Sequence, residues 1–313
     1  MKDKYKISVV GAGATGGFYG GALARSGHQI TFIARGKHLN AIKSGGLHIK
    51  SVLLGDFVLD ITATEQISSV GVSDLIIFAV KSWSSKAAIN EMASLVGPNT
   101  TIISTQNGVD SEKNLAHAFG IEHIIGCTVT VNSTIEAPGT IIQKGGPGSI
   151  VVGELTGGIS RRVNELANIF KNAGLAAETH DDVTRAIWDK FIFICGLSGM
   201  TALTRKPIGE IFSHKATTNM YLNVLEEVAK VGRAEGVDLP ENTAVNVLES
   251  TKAREPYIIG SMGQDLIAGY PIEIGILNER VVEFGIKHGI PTPANFAITA
   301  ALKPYELGSA SRS

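Results

Sequence analysis

The chain has 313 residues, of which 44% are hydrophobic, and its 28 basic and 29 acidic side chains nearly cancel to a net charge of −1. This length predicts about two domains of ordinary size, each with enough apolar material for a core. The balanced charge excludes nucleic acid and anionic membrane surfaces as expected partners. The two cysteines, Cys127 and Cys195, are too few for a disulfide scaffold or a structural zinc site, which predicts a cytoplasmic protein without a metal centre.

The N-terminal segment superficially resembles a signal peptide or a membrane span. Residues 7–24 carry no charge and follow lysines at positions 2, 4 and 6. Six glycines interrupt this stretch, however, and break the continuous apolar helix that a signal peptide or a span requires. The sequence therefore predicts no membrane association.

The first half of the chain alternates predicted strands and helices. A strand at 6–10, a glycine-rich turn, a helix ending near 26 and a strand at 29–33 form a βαβ unit. The alternation continues through a strand at 74–80, a helix at 84–95, a strand at 100–104 and a helix after 110. This order predicts a Rossmann-like, doubly wound parallel sheet. Further strands are predicted at 126–131, 140–143 and 149–153.

From about residue 182 the pattern becomes helical throughout. Helices are predicted at 183–203, 215–235, 257–267, 272–288 and 293–302, with prolines between them. The sequence thus predicts an α/β domain over 1–181 followed by an all-helical domain over 182–313.

The most informative local motif is a GxGxxG run between the first predicted strand and the first predicted helix, which reads Gly11-Ala12-Gly13-Ala14-Thr15-Gly16. Its glycines allow a tight turn, close approach of the backbone to a pyrophosphate, and close packing of helix on strand. The helix N-terminus offers free N–H groups to the phosphates. The motif predicts a dinucleotide site, with a ligand-free glycine-rich helix contact as the alternative.

The residues at the end of the second strand distinguish a site for NAD from a site for NADP. A site for NAD usually carries a carboxylate there, which binds the ribose 2′-hydroxyl, whereas a site for NADP supplies a cation for the 2′-phosphate. Here the strand is followed by Arg35 and Lys37, with no carboxylate. The sequence predicts NADP, with an ordinary solvated Arg35 as the alternative.

Three further polar positions are candidates for the same site. Lys81 and Asn107 each follow a predicted parallel strand, at the edge where doubly wound sheets bind ligands, although polar loop residues are common there. Lys190 is predicted within a helix and precedes the apolar run 191–194. Such a lysine either extends its ammonium to solvent or lies in a partly desolvated site, and its chemistry alone leaves both interpretations open.

Taken together, these motifs resemble the ketopantoate reductases (2-dehydropantoate 2-reductases), a family of 6-phosphogluconate-dehydrogenase-like proteins. The resemblance runs nearly end to end and includes GAGATGG at 11–17, Arg35 with Leu39-Asn40-Ala41-Ile42 and Gly46-Leu47, Val80-Lys81, Gln106-Asn107-Gly108, Pro138-Gly139-Thr140, Trp188-Asp189-Lys190, Thr201-Ala202-Leu203-Thr204, Gly209-Glu210, and Ser261-Met262-Gly263-Gln264-Asp265 ahead of Glu273.

The resemblance implies a reaction and a role for each matching residue. The family reduces a 2-oxo acid with NADPH, with Lys190 as general acid and Glu273 assisting at cofactor and substrate. Asn107 is implied to contact both the nicotinamide ribose and the substrate, and Lys81 to lie beside them. Ser261 is implied to hold the substrate carboxylate or hydroxyl. A homodimer is expected by analogy only.

Three positions depart from the family pattern. Ketopantoate reductases typically carry asparagines where this chain has Ile194, Ser198 and Ile208. Residues 190, 194 and 198 recur at i, i+4 and i+8, so they lie on one helix face. Loss of amide donors would leave polar groups of ketopantoate unpaired on burial, at about 1–3 kcal/mol each. We therefore expect Ile194 and Ser198 to line the substrate pocket, and we expect the substrate to be less polar than ketopantoate where it faces Ile194 and Ile208.

The sequence leaves three functions to weigh. The leading hypothesis is an NADPH-dependent reductase of a small 2-oxo acid or related ketone. The second is ketopantoate reductase proper, which acts in pantothenate biosynthesis, with other donors replacing the asparagines. The third is a catalytically idle NADP-binding or sensing protein, against which Lys190 and Glu273 both argue.

Overall fold

The computed structural model describes residues 4–308, and the chain divides into two compact units. Unit 1 runs through Gln106 and includes Asp110–Ala186, and unit 2 consists of Asn107–Val109 together with the chain from Ile187 onward. The division therefore falls inside a helix, after Ala186, whereas the sequence places it between 181 and 182. The short segment that contains Asn107 belongs to unit 2, although it directly follows a strand region of unit 1.

Unit 1 contains ten strands and five helices in the described residues, and it shares a sixth helix with unit 2. Its strands are β1 (Lys6–Val10), β2 (Gln29–Ile33), β3 (Leu47–Ser51), β4 (Phe57–Leu59), β5 (Thr62–Thr64), β6 (Leu75–Phe78), β7 (Thr101–Ser104), β8 (Ile125–Ala137), β9 (Thr140–Glu154) and β10 (Ala177–Thr179). Its helices are α1 (Ala14–Arg25), α2 (Gly36–Gly45), α3 (Ser85–Glu91), α4 (Ser111–Phe119) and α5 (Arg161–Asn172). A final helix, α6 (Val183–Thr204), begins in unit 1 and continues into unit 2.

The first sheet of unit 1 is parallel, with strand order β5-β2-β1-β6-β7. The central strand β6 is apolar and buried throughout, and β1 is buried except at its first residue, Lys6, as expected for a parallel sheet covered on both faces. The predicted Rossmann-like sheet is confirmed, and the predicted bounds of β1 and β2 match the structure. The carboxyl ends of β1, β2 and β6 lie at one edge, which is where the glycine turn follows β1.

A second, mixed sheet has the strand order β10-β9-β3-β4, with β8 pairing antiparallel to β9. The sequence predicts separate strands at 140–143 and 149–153, but these are parts of the single strand β9. The Gly-Pro-Gly run at 146–148 does not end the strand, because the register of β8 against β9 shifts nearby and accommodates the irregular backbone. The sequence analysis did not separate this sheet from the parallel one.

Helix α1 packs between the two sheets, and its glycines make this close approach geometrically feasible. A Cβ atom at Gly20 would lie 2.7 Å from Phe32 and Val9 of the parallel sheet. A Cβ atom at Gly17 would lie 1.9 Å from Ile141 of the mixed sheet. The glycine-rich sequence of α1 thus reflects contact on two faces of the helix, in addition to the turn at its start.

Unit 2 is helical and is built around α6. Its other helices are α7 (Ile208–Phe212), α8 (Lys215–Ala234), α9 (Thr243–Lys252), α10 (Ser261–Ile267), α11 (Asn278–His288) and α12 (Pro293–Leu302). The helices predicted from 257 and 272 begin later, at Ser261 and Asn278, because the preceding residues form extended segments and a short 3₁₀ turn at Ile274–Ile276. The predicted all-helical character of this half is confirmed.

A buried polar network holds α6 against three other helices of unit 2. The Glu227 carboxylate of α8 accepts hydrogen bonds from the backbone N–H groups of Ala294 and Asn295 at the start of α12. Asn295 in turn accepts a 2.9 Å hydrogen bond from the side-chain amide of Asn278, which also donates to the backbone oxygen of Cys195 in α6 at 3.2 Å. This network fixes the position of the helix that carries Lys190.

Helix α6 is long and apolar enough, by length and composition alone, to cross a membrane. From the sequence, no stretch besides the N-terminal one is predicted to approach the roughly 18 apolar residues that a span needs. Most of the helix is buried within the structure, and core helices of soluble proteins meet the same criteria.

Candidate active site

The glycine turn between β1 and α1 has the geometry that the motif predicts. Gly11 adopts a φ of +103°, and a Cβ atom there would lie 2.7 Å from the backbone of Ala79. A Cβ atom at Gly16 would lie 2.1 Å from the Gly11 carbonyl oxygen. Glycine is therefore required at both positions, at the first for its backbone conformation and at the second for packing.

The middle glycine of the motif has a different environment. Gly13 caps the N-terminus of α1, and apart from its chain neighbours no heavy atom of residues 4–308 lies within 4 Å of the position that its Cβ would occupy. Within the same described residues, no side chain caps the first N–H groups of α1. Open space beside uncapped N–H groups at a helix N-terminus is the environment that a pyrophosphate requires. The residues present thus fit a dinucleotide, which the loop 11–16 would hold, with Ala12, Ala14 and Thr15 supplying backbone.

Arg35 directly follows the strand end that selects the cofactor, but it is not isolated. Its Nη2 atom lies 3.4 Å from Glu91 Oε2, and its Nε atom lies 3.8 Å from Glu65 Oε1. The Arg35 side chain is 56% exposed, so it is also accessible to a ligand. The structure therefore places a cation at the expected position and two carboxylates beside it.

Lys81 lies just beyond the carboxyl end of β6, where its Nζ atom is 5.6 Å from the centroid of the Trp83 ring. The neighbouring Gln106 has a structural role that the sequence analysis did not identify. Its side-chain amide donates to the Val80 backbone oxygen at 2.6 Å and to the Ser85 hydroxyl at 2.7 Å, and its oxygen accepts from Ser111. Gln106 thus fixes the loop that presents Lys81.

His38 of α2 supports the turn between β8 and β9, and sequence reasoning missed this contact. Its Nδ1 atom accepts a 3.0 Å hydrogen bond from the Gly139 backbone N–H, so the ring is neutral and carries its proton on Nε2. Burial lowers the pKa of His38, and the Ala12 carbonyl beside the ring opposes that shift. As the third residue of α2, His38 has no sequence signal for this role.

Unit 2 brings the Asn107 segment next to the Glu273 segment. Gly108 adopts a φ of +95°, and a Cβ atom there would lie 3.1 Å from the Ile276 backbone oxygen. Glu273 is half-buried at the start of the 3₁₀ turn that contains Ile276. Asn107 and Glu273 are thus carried by adjacent segments of one unit, although their shared role stays a prediction.

Lys190 and Ile194 are both half-buried and lie one turn apart on α6. The helix is continuous through both residues, so the predicted i, i+4 alignment of Lys190 with Ile194 holds in the structure. Within this helix an ammonium and a branched alkyl side chain therefore lie next to each other on one face.

Ser198, one further turn along α6, has a different environment from the predicted one. It is only 2% exposed. A Cβ atom at Gly260 would lie 2.6 Å from its hydroxyl oxygen and 2.7 Å from its Cα atom. The close approach of the chain at Gly260 therefore covers Ser198. Contact between Ser198 and a substrate stays a prediction that requires Gly260 to move.

Ser261 follows Gly260 directly and is exposed as the first residue of α10. Its position is fixed through Thr201 of α6, whose hydroxyl accepts from the Gly260 backbone N–H at 3.0 Å and donates to the Leu197 carbonyl at 2.6 Å. The structure thus places Ser261 beside the helix that carries Lys190. Thr201 belongs to a motif quoted for the resemblance, but its anchoring role has no local sequence signal.

Ile208 corrects an expectation about the pocket. The sequence predicts that Ile208, like Ile194, faces a less polar substrate, but Ile208 is 2% exposed and packs in the core of unit 2. Its backbone N–H donates to the Ile258 carbonyl at 3.0 Å. An asparagine at this position would bury an amide in an apolar core, so the isoleucine is explained by packing.

Family models match both predicted domains. The model described as "Ketopantoate reductase PanE/ApbA" matches residues 7–157, and the model described as "Ketopantoate reductase PanE/ApbA C terminal" matches residues 182–306. A curated relative, the 2-dehydropantoate 2-reductase of Pyrococcus horikoshii, is 30% identical over 311 residues, which cover 98% of this chain and 100% of the relative.

Solved structures match over the same extent. The PanE/ApbA family ketopantoate reductase from Ralstonia eutropha JMP134 is 32% identical with a TM-score of 0.87, covering 97% of this chain and 98% of that one. A D-mandelate dehydrogenase in a ternary structure with NADH and anilino(oxo)acetate is 25% identical with a TM-score of 0.88, covering 97% of this chain and 98% of that one.

Proposed function

Because the chain belongs to the ketopantoate reductase family, we propose that it is an NADPH-dependent reductase that transfers hydride to the carbonyl of a small 2-oxo acid or related ketone. It is an oxidoreductase that acts on CH–OH groups. The observation that carries the proposal is the half-buried Lys190, which occupies the position of the family's general acid and lies one helical turn from the apolar side chain of Ile194.

The cofactor supplies the hydride when it is bound. The proposal that this cofactor is NADPH rather than NADH rests on the residues that follow β2. Arg35 and Lys37 provide two cations there, and no carboxylate follows β2 directly. A guanidinium binds a phosphate by paired, charge-assisted hydrogen bonds, so Arg35 is the residue we assign to the 2′-phosphate. Lys81 lies at the same edge of the sheet, and we assign it to the neighbourhood of the nicotinamide ribose.

We assign to Lys190 the donation of a proton to the substrate carbonyl oxygen. Hydride addition to a carbonyl carbon leaves negative charge on the oxygen, and an ammonium can stabilise that charge and then donate a proton. Asn107 and Glu273 orient the reactants from adjacent segments, and Ser261 holds the substrate carboxylate or hydroxyl. These four roles follow the family pattern residue by residue.

The proposed substrate has a less polar side chain than ketopantoate. Ile194 lies one helical turn from Lys190, and each methylene that packs on such a side chain contributes about 0.8 kcal/mol. The D-mandelate dehydrogenase with the same fold was solved with anilino(oxo)acetate, an oxo acid that carries an aromatic group. Both observations favour an alkyl or aryl 2-oxo acid.

Ketopantoate reductase proper is the second candidate. The relatives named 2-dehydropantoate 2-reductase span nearly the whole chain, which favours it. For this function, donors outside α6 would have to replace the missing amides. The non-catalytic alternative has no support from the comparisons.

A substrate screen tests both candidates. The purified protein would be assayed for NADPH oxidation with 2-oxo acids of graded size and polarity, with ketopantoate included. We expect the highest kcat/KM for an alkyl or aryl 2-oxo acid. The highest kcat/KM for ketopantoate would instead favour the second candidate, and no turnover of any 2-oxo acid would contradict the proposed function.

A further inference from the structure

Two carboxylates converge on Arg35 from different elements of unit 1. Glu65 directly follows β5, the parallel neighbour of β2, and Glu91 is the last residue of α3. The two strand ends are tied together, because the Ala34 backbone N–H donates to the Thr64 carbonyl at 3.0 Å. Glu65 therefore occupies a position one strand away from the place where NAD-binding sheets carry their carboxylate.

The three side chains form a small exposed cluster that we call the Arg35 cluster: Arg35, Glu65 and Glu91. Arg35 donates a 3.4 Å hydrogen bond to Glu91 and lies 3.8 Å from Glu65, and the three side chains are 56%, 60% and 49% exposed. The formal charge of the cluster is −1, from one cation and two anions. A phosphate that approaches Arg35 must therefore approach two carboxylates as well.

We propose that Glu65 and Glu91 set the cofactor selectivity of this enzyme by competing with the 2′-phosphate of NADPH for Arg35. The inference rests on the proposed function, in which Arg35 contacts that phosphate. NADH carries a ribose hydroxyl in place of the phosphate, so the two carboxylates do not repel it. Selectivity is a difference between two binding energies, and a repulsive group lowers one of them without raising the other.

The expected size of the effect follows from charge and screening. A carboxylate that shares the guanidinium with a doubly charged phosphate at a solvated surface repels that phosphate by on the order of 1 kcal/mol once salt screening is included. Neutralising Glu91, the closer carboxylate, should therefore raise NADPH affinity about threefold to tenfold. The NADH affinity should change less than about twofold, because no comparable charge is present.

The experiment is an equilibrium titration of the purified full chain with NADPH and with NADH, followed by cofactor fluorescence and without substrate. The variants are Glu91→Gln, Glu65→Gln, the pair together, and Arg35→Ala. Glu165→Gln is the matched control, because Glu165 of α5 also pairs with an arginine, Arg161 at 2.9 Å, but lies beside the amino ends of the parallel strands. The control should leave both affinities unchanged.

The inference is supported if the glutamine variants raise NADPH affinity selectively and the gain shrinks when salt is increased from about 0.05 to 0.5 M. It is overturned if Glu91→Gln and the double variant leave the NADPH to NADH ratio unchanged while Arg35→Ala still weakens NADPH selectively. That result would leave the proposed cofactor preference intact. It is also overturned if the glutamine variants weaken NADPH binding, because that result would mean that the carboxylates hold Arg35 in place for the phosphate.

Arg35→Ala tests the proposed function separately. A lost phosphate contact should weaken NADPH by about 1–3 kcal/mol, which is roughly fivefold to 150-fold, with NADH little changed. Equal losses for the two cofactors would remove Arg35 from the phosphate site and would overturn the inference together with the proposed basis of NADPH preference.

Discussion

The glycine loop of unit 1 is predicted from a local motif, whereas the Lys190 face of unit 2 is predicted mainly from the family resemblance, and the structure follows the two predictions to different extents. In the loop, Gly11 and Gly16 are crowded and Gly13 is open, as the motif requires. On α6, Lys190 and Ile194 are half-buried as expected, whereas Ser198 is covered by Gly260. A site made by backbone geometry follows from local sequence, but a site made by side chains depends on which segments of the chain cover it.

The largest expected effect concerns the side-chain site. Lys190→Ala should reduce kcat by about 10²–10⁴-fold, because the developing alkoxide loses its proton donor, while NADPH binding persists. Stopped-flow measurement of NADPH oxidation with the best substrate would show whether the loss lies in the chemical step. Lys230→Ala on the exposed surface of α8 is the control and should keep the parent turnover. Near-parent turnover of the Lys190 variant would remove this residue from the mechanism.

A pair of glycine variants tests the backbone-made site. Gly11→Ala should destabilise unit 1 by about 3 kcal/mol, because alanine is strained at a φ of +103° and its Cβ would contact the Ala79 backbone. Gly13→Ala should change stability by less than about 1 kcal/mol, since Gly13 has an ordinary φ of −68° and open space around it.

The Gly13 variant, which should keep its stability, should nevertheless bind NADPH more weakly than the parent protein. The methyl group of Gly13→Ala enters the space that we assign to the pyrophosphate, so affinity should fall about tenfold or more in a protein of near-parent stability. Thermal unfolding and cofactor titration of both variants are the measurements. Unchanged NADPH affinity in the Gly13 variant would show that the open space beside α1 does not hold the phosphates.

Most of the fold could be predicted because its central elements have strong local patterns. The apolar runs of β1 and β2 and the proline that opens α12 gave bounds that match the structure. The mixed sheet could not be separated from the parallel one, because its pairing partners, β3 and β9, are distant in sequence. Likewise, the hydrogen bonds that Gln106, His38 and Thr201 each make within their own unit depend on tertiary contacts that no local spacing encodes.

A stability prediction tests whether the interior of unit 2 positions α6. Asn278→Ala removes the hydrogen bonds to the Cys195 carbonyl and to Asn295, and it should lower the free energy of unfolding by about 2 kcal/mol. Asn246→Ala on the exposed side of α9 is the matched control and should change it by less than about 0.5 kcal/mol. Similar urea midpoints for both variants would show that the network contributes little to holding α6.

The smallest expected effect is a change in substrate preference, which shows whether Ile194, Ser198 or Ile208 determines substrate choice. Restoring the family's amide at the half-buried position, Ile194→Asn, should raise kcat/KM for ketopantoate relative to an alkyl 2-oxo acid by about tenfold, because the amide can pair a hydroxyl that the isoleucine leaves unpaired. Ser198→Asn should instead lower stability without shifting that ratio, because Gly260 leaves no space for a larger side chain.

The competing account is that Ile194 only packs against its neighbours and that donors elsewhere choose the substrate. Under that account Ile194→Asn would lower kcat/KM for both substrates together and leave their ratio unchanged. Ile208→Asn is a control for a buried amide that does not face the substrate. Because Ile208 lies in the core, this variant should lose stability without gaining activity toward ketopantoate. A ratio that changes only at position 194 would assign substrate choice to the half-buried residue that lies one helical turn from Lys190.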